Sequence, residues 1–202
     1  MGWTKEQMAD EVIGFFQENS TVNLGIGLPS LVAERLPDDL NIMIQSENGI
    51  LGVGDRPTKK TVSPTLINAG KETITAVSGS SYFDSALSFG MIRGGHIDYS
   101  VLGGMEVDVE GNLANWMVPG AKITGMGGAM DLVNGSKNII IMMTHFTKTG
   151  DCKLKKICEL PLTGTNVVDI VVTELGIFKP NKNNFEVVKL APNVSEKDLK
   201  LP

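Results

Sequence analysis

The sequence has few of the residues that most often bind metals or form disulfides. Its 202 residues include two cysteines and two histidines. Cys152 and Cys158 form a Cys-x5-Cys spacing, which matches no zinc motif, and no histidine lies near them at ligand spacing. Because isolated cysteines stay reduced in a reducing compartment, we expect free thiols and no bound metal.

Long hydrophobic runs and basic clusters are also missing. The longest apolar run, residues 139–143, is far too short to cross a bilayer, and the N-terminus lacks the basic and apolar segments of a signal peptide. Lysine and arginine total 18 against 23 acidic residues, and no basic cluster exceeds two adjacent lysines. These features argue against a membrane-spanning or nucleic-acid-binding protein. We expect a cytoplasmic protein, or one of an organelle after removal of a transit peptide.

The residues that are present predict an ordered α/β domain. Hydrophobic residues make up 42% of the chain and charged residues 20%, which is enough for a packed core, and the length fits one domain over residues 1–202. Thr4 and Gln7 form a capping box ahead of a predicted amphipathic helix at 5–19. Then follow a predicted strand at 22–24, a glycine turn at 25–28, a helix starting at Pro29 and a strand at 40–45.

The rest of the chain predicts further strands and two more helices. Residues 52–65 are rich in Gly, Pro, Lys and Thr and are interpreted as a loop, and Asp84 is a predicted cap of a helix that ends at Gly94. A short helix is predicted through Val133, and strands are predicted at 99–102, 105–109, 113–118, 138–144 and 167–173. The apolar run within 138–144 is typical of a strand buried on both faces. We therefore predict a single α/β domain with an open mixed or parallel sheet flanked by helices.

Glycine is abundant and recurs where predicted strands end. The 23 glycines exceed the usual share of about 7%. Each cluster alone fits a tight turn, whereas several clusters at one sheet edge favour a ligand cleft. Gly25-x-Gly27 has Ser30 where a dinucleotide fingerprint has its third glycine, so it gives little support for NAD binding. The segment 125–128 has no Lys-Ser/Thr after it and is not a P-loop, but backbone amides at a helix start are able to stabilise an oxyanion.

One carboxylate, Glu47, lies where the strand predicted at 40–45 ends, in the segment IQSENGILG. In an open α/β sheet, ligands bind at the carboxyl ends of the strands. The residues alone leave three roles open for Glu47. It is a solvated turn carboxylate, a general base, or a carboxylate nucleophile, and the last role needs a water-poor pocket with an adjacent oxyanion site.

A specific family resemblance begins at this carboxylate. The segment Ser46-Glu47-Asn48-Gly49-Ile50-Leu51-Gly52 resembles the active-site signature of family I CoA-transferases, in the small (B) subunit of the 3-oxoacid and butyrate/acetoacetate type. Five blocks agree with that family in the same order: NLGIGLP at 23–29, IRGGH at 92–96, GNLANW at 111–116, GMGGAMDL at 125–132 and LPLTG at 160–164. The resemblance covers about residues 23–178 and implies the CoA-transferase fold.

The resemblance implies a double-displacement transfer of CoA. Glu47 is implied to attack an acyl-CoA carbonyl, which gives an acyl-glutamyl anhydride and a CoA thiolate that then forms a glutamyl-CoA thioester. A second carboxylic acid reverses these steps, so CoA is a substrate and no metal or redox cofactor is required. The resemblance also implies that Gly127 and Gly128 bind the CoA ester by donating hydrogen bonds to the oxyanion. Asn48 and Gly49 are implied to shape the turn of Glu47 and to bind CoA. Gly25 and Gly27 are implied to lie on the floor of the cleft.

The resemblance also implies a partner chain. The family's larger A subunit supplies much of the acid pocket, so we expect an A2B2 heterotetramer. Succinyl-CoA and acetoacetate are the first expected substrates, and acetate or butyrate with acetoacetate is the alternative pair. Two other classes stay open: a noncatalytic CoA-binding subunit of the same fold, and an isomerase or deaminase of sugar phosphates, against which the Ser-Glu-Asn-Gly turn argues.

Overall fold

The computed structural model describes residues 2–120, 122–123 and 125–202. The α-helices are α1 (Lys5–Ile13), α2 (Ser85–Arg93), α3 (Ala129–Gly135) and α4 (Glu196–Leu199), and two 3₁₀ helices cover Leu28–Arg35 and Asp38–Leu40. The strands are β1 (Thr21–Leu24), β2 (Met43–Ser46), β3 (Ile50–Val53), β4 (Ala76–Tyr82), β5 (Tyr99–Leu102), β6 (Glu106–Asp108), β7 (Leu113–Ala114), β8 (Met117–Val118), β9 (Lys122–Ile123), β10 (Asn138–Met142), β11 (Leu154–Lys155), β12 (Ile170–Thr173), β13 (Gly176–Pro180) and β14 (Phe185–Leu190). Within the described part of the chain, every helix is too short or too polar to cross a membrane.

A nine-stranded sheet forms the centre of the fold, in the order β14-β13-β12-β10-β5-β1-β2-β3-β4. Strands β12, β10, β5, β1 and β2 run parallel, and antiparallel strands extend the sheet on both sides. This open mixed sheet flanked by helices confirms the predicted fold class. The chain order reverses beside β1, because β2 lies on one side of it and β5 on the other. Such a reversal leaves a crevice at the carboxyl ends of the strands, where ligands bind.

Hydrophobic residues cover both faces of the sheet, and β10 separates the two cores. Ile139 and Ile141 pack with residues of α2, α3 and the small sheet β11-β6-β7, whereas Ile140 and Met142 pack with residues of α1. All four side chains are at most 2% exposed. This pattern is expected of a parallel strand with helices on both faces, so the buried strand predicted at 138–144 is confirmed.

The first helix is shorter than predicted. The helix predicted at 5–19 covers only Lys5–Ile13, and Gly14 caps its end. The chain then turns through Phe15 and Phe16, whose amides each bond to the carbonyl three residues earlier. Both phenylalanines pack against the same core as α1, with Phe16 buried and Phe15 half-buried. Because they are hydrophobic, they continued the helical pattern in the sequence although the helix has already ended. The predicted capping box at the start of α1 is present.

Predictions between the first helix and α2 were partly wrong. The helix predicted from Pro29 is a 3₁₀ helix, Leu28–Arg35, rather than an α-helix. The strand predicted at 40–45 starts later, because Asn41 adopts a left-handed conformation with φ 49°. The loop predicted at 52–65 overlaps the end of β3. Asp84 caps α2 as predicted, since its side chain accepts a hydrogen bond from the Leu87 amide.

Several strands were missed or joined. The predicted strand at 113–118 is two short strands, β7 and β8, which belong to different small sheets. The elements that were not predicted are helix α4 and strands β3, β4, β9, β11, β13 and β14. Strand β4 lies at an outer edge of the large sheet and consists of serine, glycine, alanine, valine and tyrosine without a charged side chain. Its exposed side chains give no alternating hydrophobic pattern, which explains why it was missed.

His145 attaches the C-terminal helix to the body of the fold. The imidazole is fully buried, and its Nε2 atom donates to the Leu199 carbonyl oxygen at 2.7 Å. Its Nδ1 atom lies 3.1 Å from the Thr173 hydroxyl. Burial lowers the pKa of His145, although the Leu199 carbonyl and the nearby Glu174 carboxylate act in the opposite direction. His145 is therefore a neutral ring that holds α4 against the body of the fold.

Candidate active site

Glu47 lies in the tight turn between β2 and β3, at the carboxyl end of a parallel strand. The turn closes with a hydrogen bond of 3.0 Å from the Gly49 amide to the Ser46 carbonyl oxygen. Gly49 has a φ of 121°, and a Cβ atom at this position would collide with the carbonyl oxygen of Phe83. Because only glycine fits there, the turn that presents Glu47 is set by the backbone.

The glycine segment ahead of α3 lies directly against Glu47. A Cβ atom added at Gly128 would be 3.3 Å from the Cγ atom of Glu47 and 3.3 Å from the ring of Phe89. Gly127 has a φ of 52° and open space around it. The structure therefore brings Glu47 and the segment containing Gly127 and Gly128 together, as the family resemblance implies.

A chain of buried polar side chains reaches Glu47 from inside the fold. Asn23 of β1 and Gln45 of β2 are register partners across the parallel pair. The Asn23 Nδ2 atom donates to Gln45 Oε1 at 2.6 Å and to Glu47 Oε2 at 3.2 Å. The Gln45 Nε2 atom donates to the Ser88 hydroxyl of α2 at 2.8 Å. Asn23, Gln45 and Ser88 are at most 1% exposed, so Glu47 is held from a side that solvent does not reach.

The orientation of the Asn23 amide follows from its neighbours. Its nitrogen faces three acceptors, which are the backbone carbonyl and Oε1 of Gln45 and Oε2 of Glu47. A reversed amide would place an oxygen against all three. In the observed orientation Oδ1 of Asn23 is buried without a hydrogen-bond partner among the described residues. An unpaired buried acceptor costs about 1–3 kcal/mol, so the donor that faces Glu47 is kept despite a loss of stability.

A cavity of about 340 Å³ opens beside Glu47, at the carboxyl ends of β1 and β2. Its walls also include part of the 3₁₀ helix Leu28–Arg35 and parts of the segment 53–74. Three further carboxylates line it, and Arg56 lies among them: Arg56 contacts Glu34 at 2.7 Å and Glu72 at 3.6 Å. A volume of this size suits a small ligand or one part of a larger ligand.

Two residues that flank Glu47 hold one wall of this cavity. The Ser46 hydroxyl accepts a hydrogen bond of 2.9 Å from the amide of Ala69. The Asn48 Nδ2 atom donates to the carbonyl oxygen of Ile67 at 2.7 Å. Both contacts attach the segment 53–74 to the turn of Glu47, so Asn48 acts here as a support of the wall.

The two glycines assigned to the cleft floor have different positions. Gly25 lines the cavity, and its amide donates to the Val101 carbonyl oxygen of β5 at 2.8 Å. Gly27 is not among the residues that line the cavity; it precedes the 3₁₀ helix with a φ of 82° and accepts a hydrogen bond from the Ser30 amide. The floor at this point is therefore Gly25 and its neighbour Ile26.

Sequence reasoning missed Asn23, Gln45 and Ser88 as members of the site. Asn23 and Gln45 each follow a hydrophobic residue within a strand and lie shortly before a glycine-containing turn. A polar amide inside a buried strand is expected to have a specific hydrogen-bond partner, and this signal would have identified both residues. Ser88 had no such signal, because a serine in a helix is ordinary and its burial depends on how α2 packs.

The comparisons with known proteins identify the family of this chain. The chain matches the coenzyme A transferase family over residues 5–199, and it belongs to that family. It is 56% identical over 174 residues to the B subunit of the probable succinyl-CoA:3-ketoacid coenzyme A transferase of Bacillus subtilis (strain 168), an alignment that covers 86% of this chain and 81% of the relative. It is 50% identical over 175 residues to the beta subunit of the acetate CoA-transferase of Escherichia coli (strain K12), with coverage of 87% and 80%.

Solved structures share the fold at low sequence identity. An acyl-CoA transferase from Escherichia coli O157:H7 aligns with a TM-score of 0.76 at 21% identity; it covers 98% of this chain, which spans 40% of that longer chain. Glutaconate coenzyme A-transferase from Acidaminococcus fermentans aligns with a TM-score of 0.66 at 20% identity, covering 98% and 83%. The decarboxylase AibA/AibB aligns with a TM-score of 0.65 at 16% identity, covering 96% and 80%. Because a decarboxylase also has this fold, the chemistry is argued from the site.

Proposed function

We propose that this chain is the small (B) component of a CoA-transferase that moves CoA between succinyl-CoA and the 3-oxoacid acetoacetate through a glutamyl-CoA thioester on Glu47. The observation that supports this most directly is the position of Glu47 between Asn23 and Gly128, at the edge of the cavity. The 55–56% identity to B subunits of succinyl-CoA:3-ketoacid coenzyme A transferases supports the substrate pair. In this proposal residues 1–202 act as one catalytic domain.

The proposed reaction starts with the oxygen of Glu47 that Asn23 does not hold. Oε1 attacks the acyl-CoA carbonyl carbon, the carbon–sulfur bond breaks, and the CoA thiolate leaves an acyl-glutamyl anhydride. The thiolate attacks Cδ of Glu47, and the Cδ–Oε1 bond breaks to release the first acid with Oε1 as one of its oxygens. The carboxylate of acetoacetate then attacks Cδ of the thioester and displaces the CoA thiolate. The thiolate attacks the acetoacetyl carbon of the new anhydride, which releases acetoacetyl-CoA and the Glu47 carboxylate. A carboxylate nucleophile of this kind requires positioning rather than a metal or redox cofactor, and CoA is a substrate.

The amides of Gly127 and Gly128 are the proposed donors to the oxyanion that forms on the acyl group. Their segment touches Glu47, so an acyl carbon bonded to Glu47 lies beside it. Loss of one oxyanion donor costs about 3 kcal/mol of transition-state stabilisation. Asn48 and Gly49 serve the same step by fixing the turn and the cavity wall.

The proposed assembly contains a second kind of chain. Relatives of this chain are B subunits of their enzymes, which supports a partner A subunit, and we propose a cytoplasmic A2B2 heterotetramer. The partner completes the acid pocket, since the cavity lining holds three carboxylates besides Glu47 and Arg56 is the cation among them. Mass measurement of the co-expressed chains checks this stoichiometry, and full activity of the isolated chain would contradict it.

Borohydride trapping tests the proposed function. The chain, purified with its A subunit, is mixed with acetoacetyl-CoA and quenched with borohydride, which reduces a glutamyl thioester to an alcohol. We expect the peptide containing Glu47 to lose one oxygen and gain two hydrogens only when the CoA ester is present. Glu47→Gln is the control, because it keeps the shape of the side chain and removes the nucleophile. An unmodified Glu47 in a preparation that binds CoA would favour the noncatalytic alternative.

Acetate or butyrate:acetoacetate transfer is the second candidate for the same site. The 50% identity to the beta subunit of an acetate CoA-transferase supports it, and so does the acidic lining of the cavity, because Glu34, Asp55 and Glu72 disfavour a second carboxylate on the substrate. Competition between succinyl-CoA and acetyl-CoA for one enzyme sample distinguishes the two. The ester with the higher kcat/KM identifies the preferred acid.

A further inference from the structure

We propose that Phe89 of α2 is a positioning residue, which sets the distance between Glu47 and the glycine segment that carries the proposed oxyanion donors. This inference rests on the proposed function, because it gives Phe89 a part in that reaction. Phe89 acts through the backbone of Gly128 and exchanges neither a proton nor an electron pair with the substrate. Its role is therefore to fix a distance rather than to carry out a chemical step.

The ring of Phe89 and the side chain of Glu47 lie at the same point of the glycine segment. A Cβ atom added at Gly128 would be 3.3 Å from the Cε1 and Cζ atoms of Phe89 and 3.3 Å from Cγ of Glu47. Carbon atoms attract each other best at about 3.5–4.0 Å, so the space between the three residues is too small for a methyl group. Phe89 is itself held, because it packs against the core that α2, α3 and β10 share. The tip of its ring therefore limits how far the segment moves where it meets Glu47.

Helix α2 is attached to the turn that presents Glu47. The Phe83 amide donates to the Gly49 carbonyl oxygen at 3.0 Å, and the Phe83 carbonyl oxygen lies so close to Gly49 that a Cβ atom there would collide with it. Asp84 follows directly and caps α2. Phe89 is five residues beyond this cap, which is about 7–8 Å along a helix. A short and rigid stretch of α2 therefore connects the turn of Glu47 to the ring of Phe89.

Helix α2 also holds α3, the helix that begins at the glycine segment. Arg93 of α2 lies 2.6 Å from Asp131 of α3. At the end of α3, a Cβ atom on Gly135 would collide with the carbonyl oxygen of Ile92. A helix of seven residues does not keep its position alone, so α2 determines where α3 and the glycine segment lie. Of these contacts, the one at Phe89 lies beside the nucleophile.

The distance matters because oxyanion donors act over a narrow range. The amides of Gly127 and Gly128 stabilise the oxyanion only if they lie about 2.7–3.1 Å from it. Phe89→Leu removes Cε1 and Cζ, the two ring atoms nearest to Gly128, and leaves space into which the segment retreats. Because a misplacement of about 1 Å in an active site costs about 10²-fold in rate, a retreat of about half that distance should cost about 10-fold.

Single-turnover kinetics of Phe89→Leu test the proposal. The enzyme, assembled with its A subunit, is mixed with saturating acetoacetyl-CoA, and the glutamyl-CoA thioester is counted by borohydride trapping at successive times. We expect the thioester to form about 10-fold more slowly than in the wild type. The KM for acetoacetyl-CoA should stay unchanged, because an interaction made only in the transition state contributes to kcat and not to ground-state binding.

Phe185→Leu is the matched control for a loss of core packing. Phe185 belongs to the same core as the one Phe89 packs against, but it lies in β14, at the edge of the nine-stranded sheet opposite to β4. It is the more buried of the two phenylalanines, so its substitution should lower the melting temperature at least as much. We expect the thioester to form at the wild-type rate in this variant.

A double variant identifies the contact itself. Gly128→Ala adds a methyl group against the ring, and Phe89→Leu removes the ring atoms that this methyl group meets. We therefore expect Gly128→Ala to slow thioester formation less in the Phe89→Leu background than in the wild type. The two losses then fail to multiply, as is usual for residues in direct contact.

Each other outcome contradicts one specific claim. Thioester formation at the wild-type rate in Phe89→Leu overturns the role of Phe89. An equal slowing in Phe185→Leu also overturns it, because general destabilisation then explains the effect. Losses that multiply in the double variant overturn the contact with Gly128. Absence of the thioester in the wild-type enzyme is the failure of the proposed function, and the role of Phe89 fails with it.

Discussion

At the scale of single residues, the site combines one reactive side chain with two glycines at positions where a Cβ atom would be too close to its neighbours. Glu47 is presented by a turn that requires glycine at Gly49, and it contacts a second segment that approaches closely at Gly128. The family signature predicted this pairing of carboxylate and glycines. It did not predict Asn23, because burial of a polar side chain next to Glu47 depends on the pairing of β1 with β2.

Shortening the nucleophile should nearly abolish transfer. In Glu47→Asp the carboxylate retreats by one methylene from the acyl carbon, and a displacement of this size costs about 10²-fold in rate. Glu47→Gln should leave no measurable transfer. Steady-state turnover measures both, with circular dichroism to establish that each variant folds. Turnover of Glu47→Gln at the wild-type rate would falsify the assignment of the nucleophile.

Gly128→Ala should affect catalysis more than stability. The new methyl group would lie 3.3 Å from both Glu47 Cγ and the Phe89 ring, which is close enough to displace the carboxylate by a few tenths of an ångström. We expect kcat to fall at least about 10-fold and the free energy of unfolding to change by less than about 1 kcal/mol. Gly90→Ala is the control: Gly90 lies in α2 with open space, so alanine should stabilise the helix by about 0.5–1 kcal/mol without loss of activity. Unchanged kcat in Gly128→Ala would contradict the close contact.

At the scale of elements, the sequence predicted the strands whose burial is visible in their composition. The continuous apolar run of β10 and the strand β5 were predicted because helices and strands cover both of their faces. Strand β4 was missed because its glycine and two of its three serines are exposed, and only pairing with β3 makes it a strand. The end of α1 was placed too late because Phe15 and Phe16 continue the apolar pattern after the helix has ended. For β4 and for the residues that follow α1, the missing information was a contact with residues distant in sequence.

The β2–β3 turn should be the least tolerant element of the site. Gly49→Ala combines a φ of 121° with a collision between the new Cβ atom and the Phe83 carbonyl oxygen. We expect a loss of at least about 2 kcal/mol in the free energy of unfolding, measured by urea denaturation. Gly79→Ala is matched for positive φ, at 86°, but has no neighbouring atom within 4 Å, so it should lose about 1 kcal/mol or less. Equal losses in the two variants would show that the collision does not matter.

At the scale of the whole molecule, the C-terminal segment closes the fold through one buried titratable ring. Leu199 is fully buried, and its carbonyl oxygen accepts a hydrogen bond from His145, which follows β10. Helix α4 alone is too short to be stable in water, so its position depends on this docking. The histidine therefore couples the attachment of the C-terminus to the pH of the solution.

The stability of the molecule should decrease as the pH falls below about 6.5. Burial lowers the pKa of His145 in the folded state below its ordinary value of 6.5. Between the two pKa values the unfolded chain binds more protons than the folded chain, so the free energy of unfolding falls with pH until the folded pKa is reached. Urea denaturation at pH 8, 6.5 and 5 measures this change.

Two variants identify the group responsible for this pH dependence. His145→Gln should be less stable than wild type at pH 8 and should lose the part of the pH dependence that lies just below 6.5. His96 is exposed, so His96→Gln should retain the wild-type profile. If His145→Gln keeps the full profile, another group is the cause.

The outer strand β4 has a consequence for how the chain is produced. Sheet edges are commonly protected from pairing with other molecules by charged side chains or proline. The seven residues of β4 include neither, and they end the nine-stranded sheet with unpaired backbone groups. An uncovered edge of this kind is a template for aggregation, so the fraction of this chain that stays in solution should fall as its concentration rises.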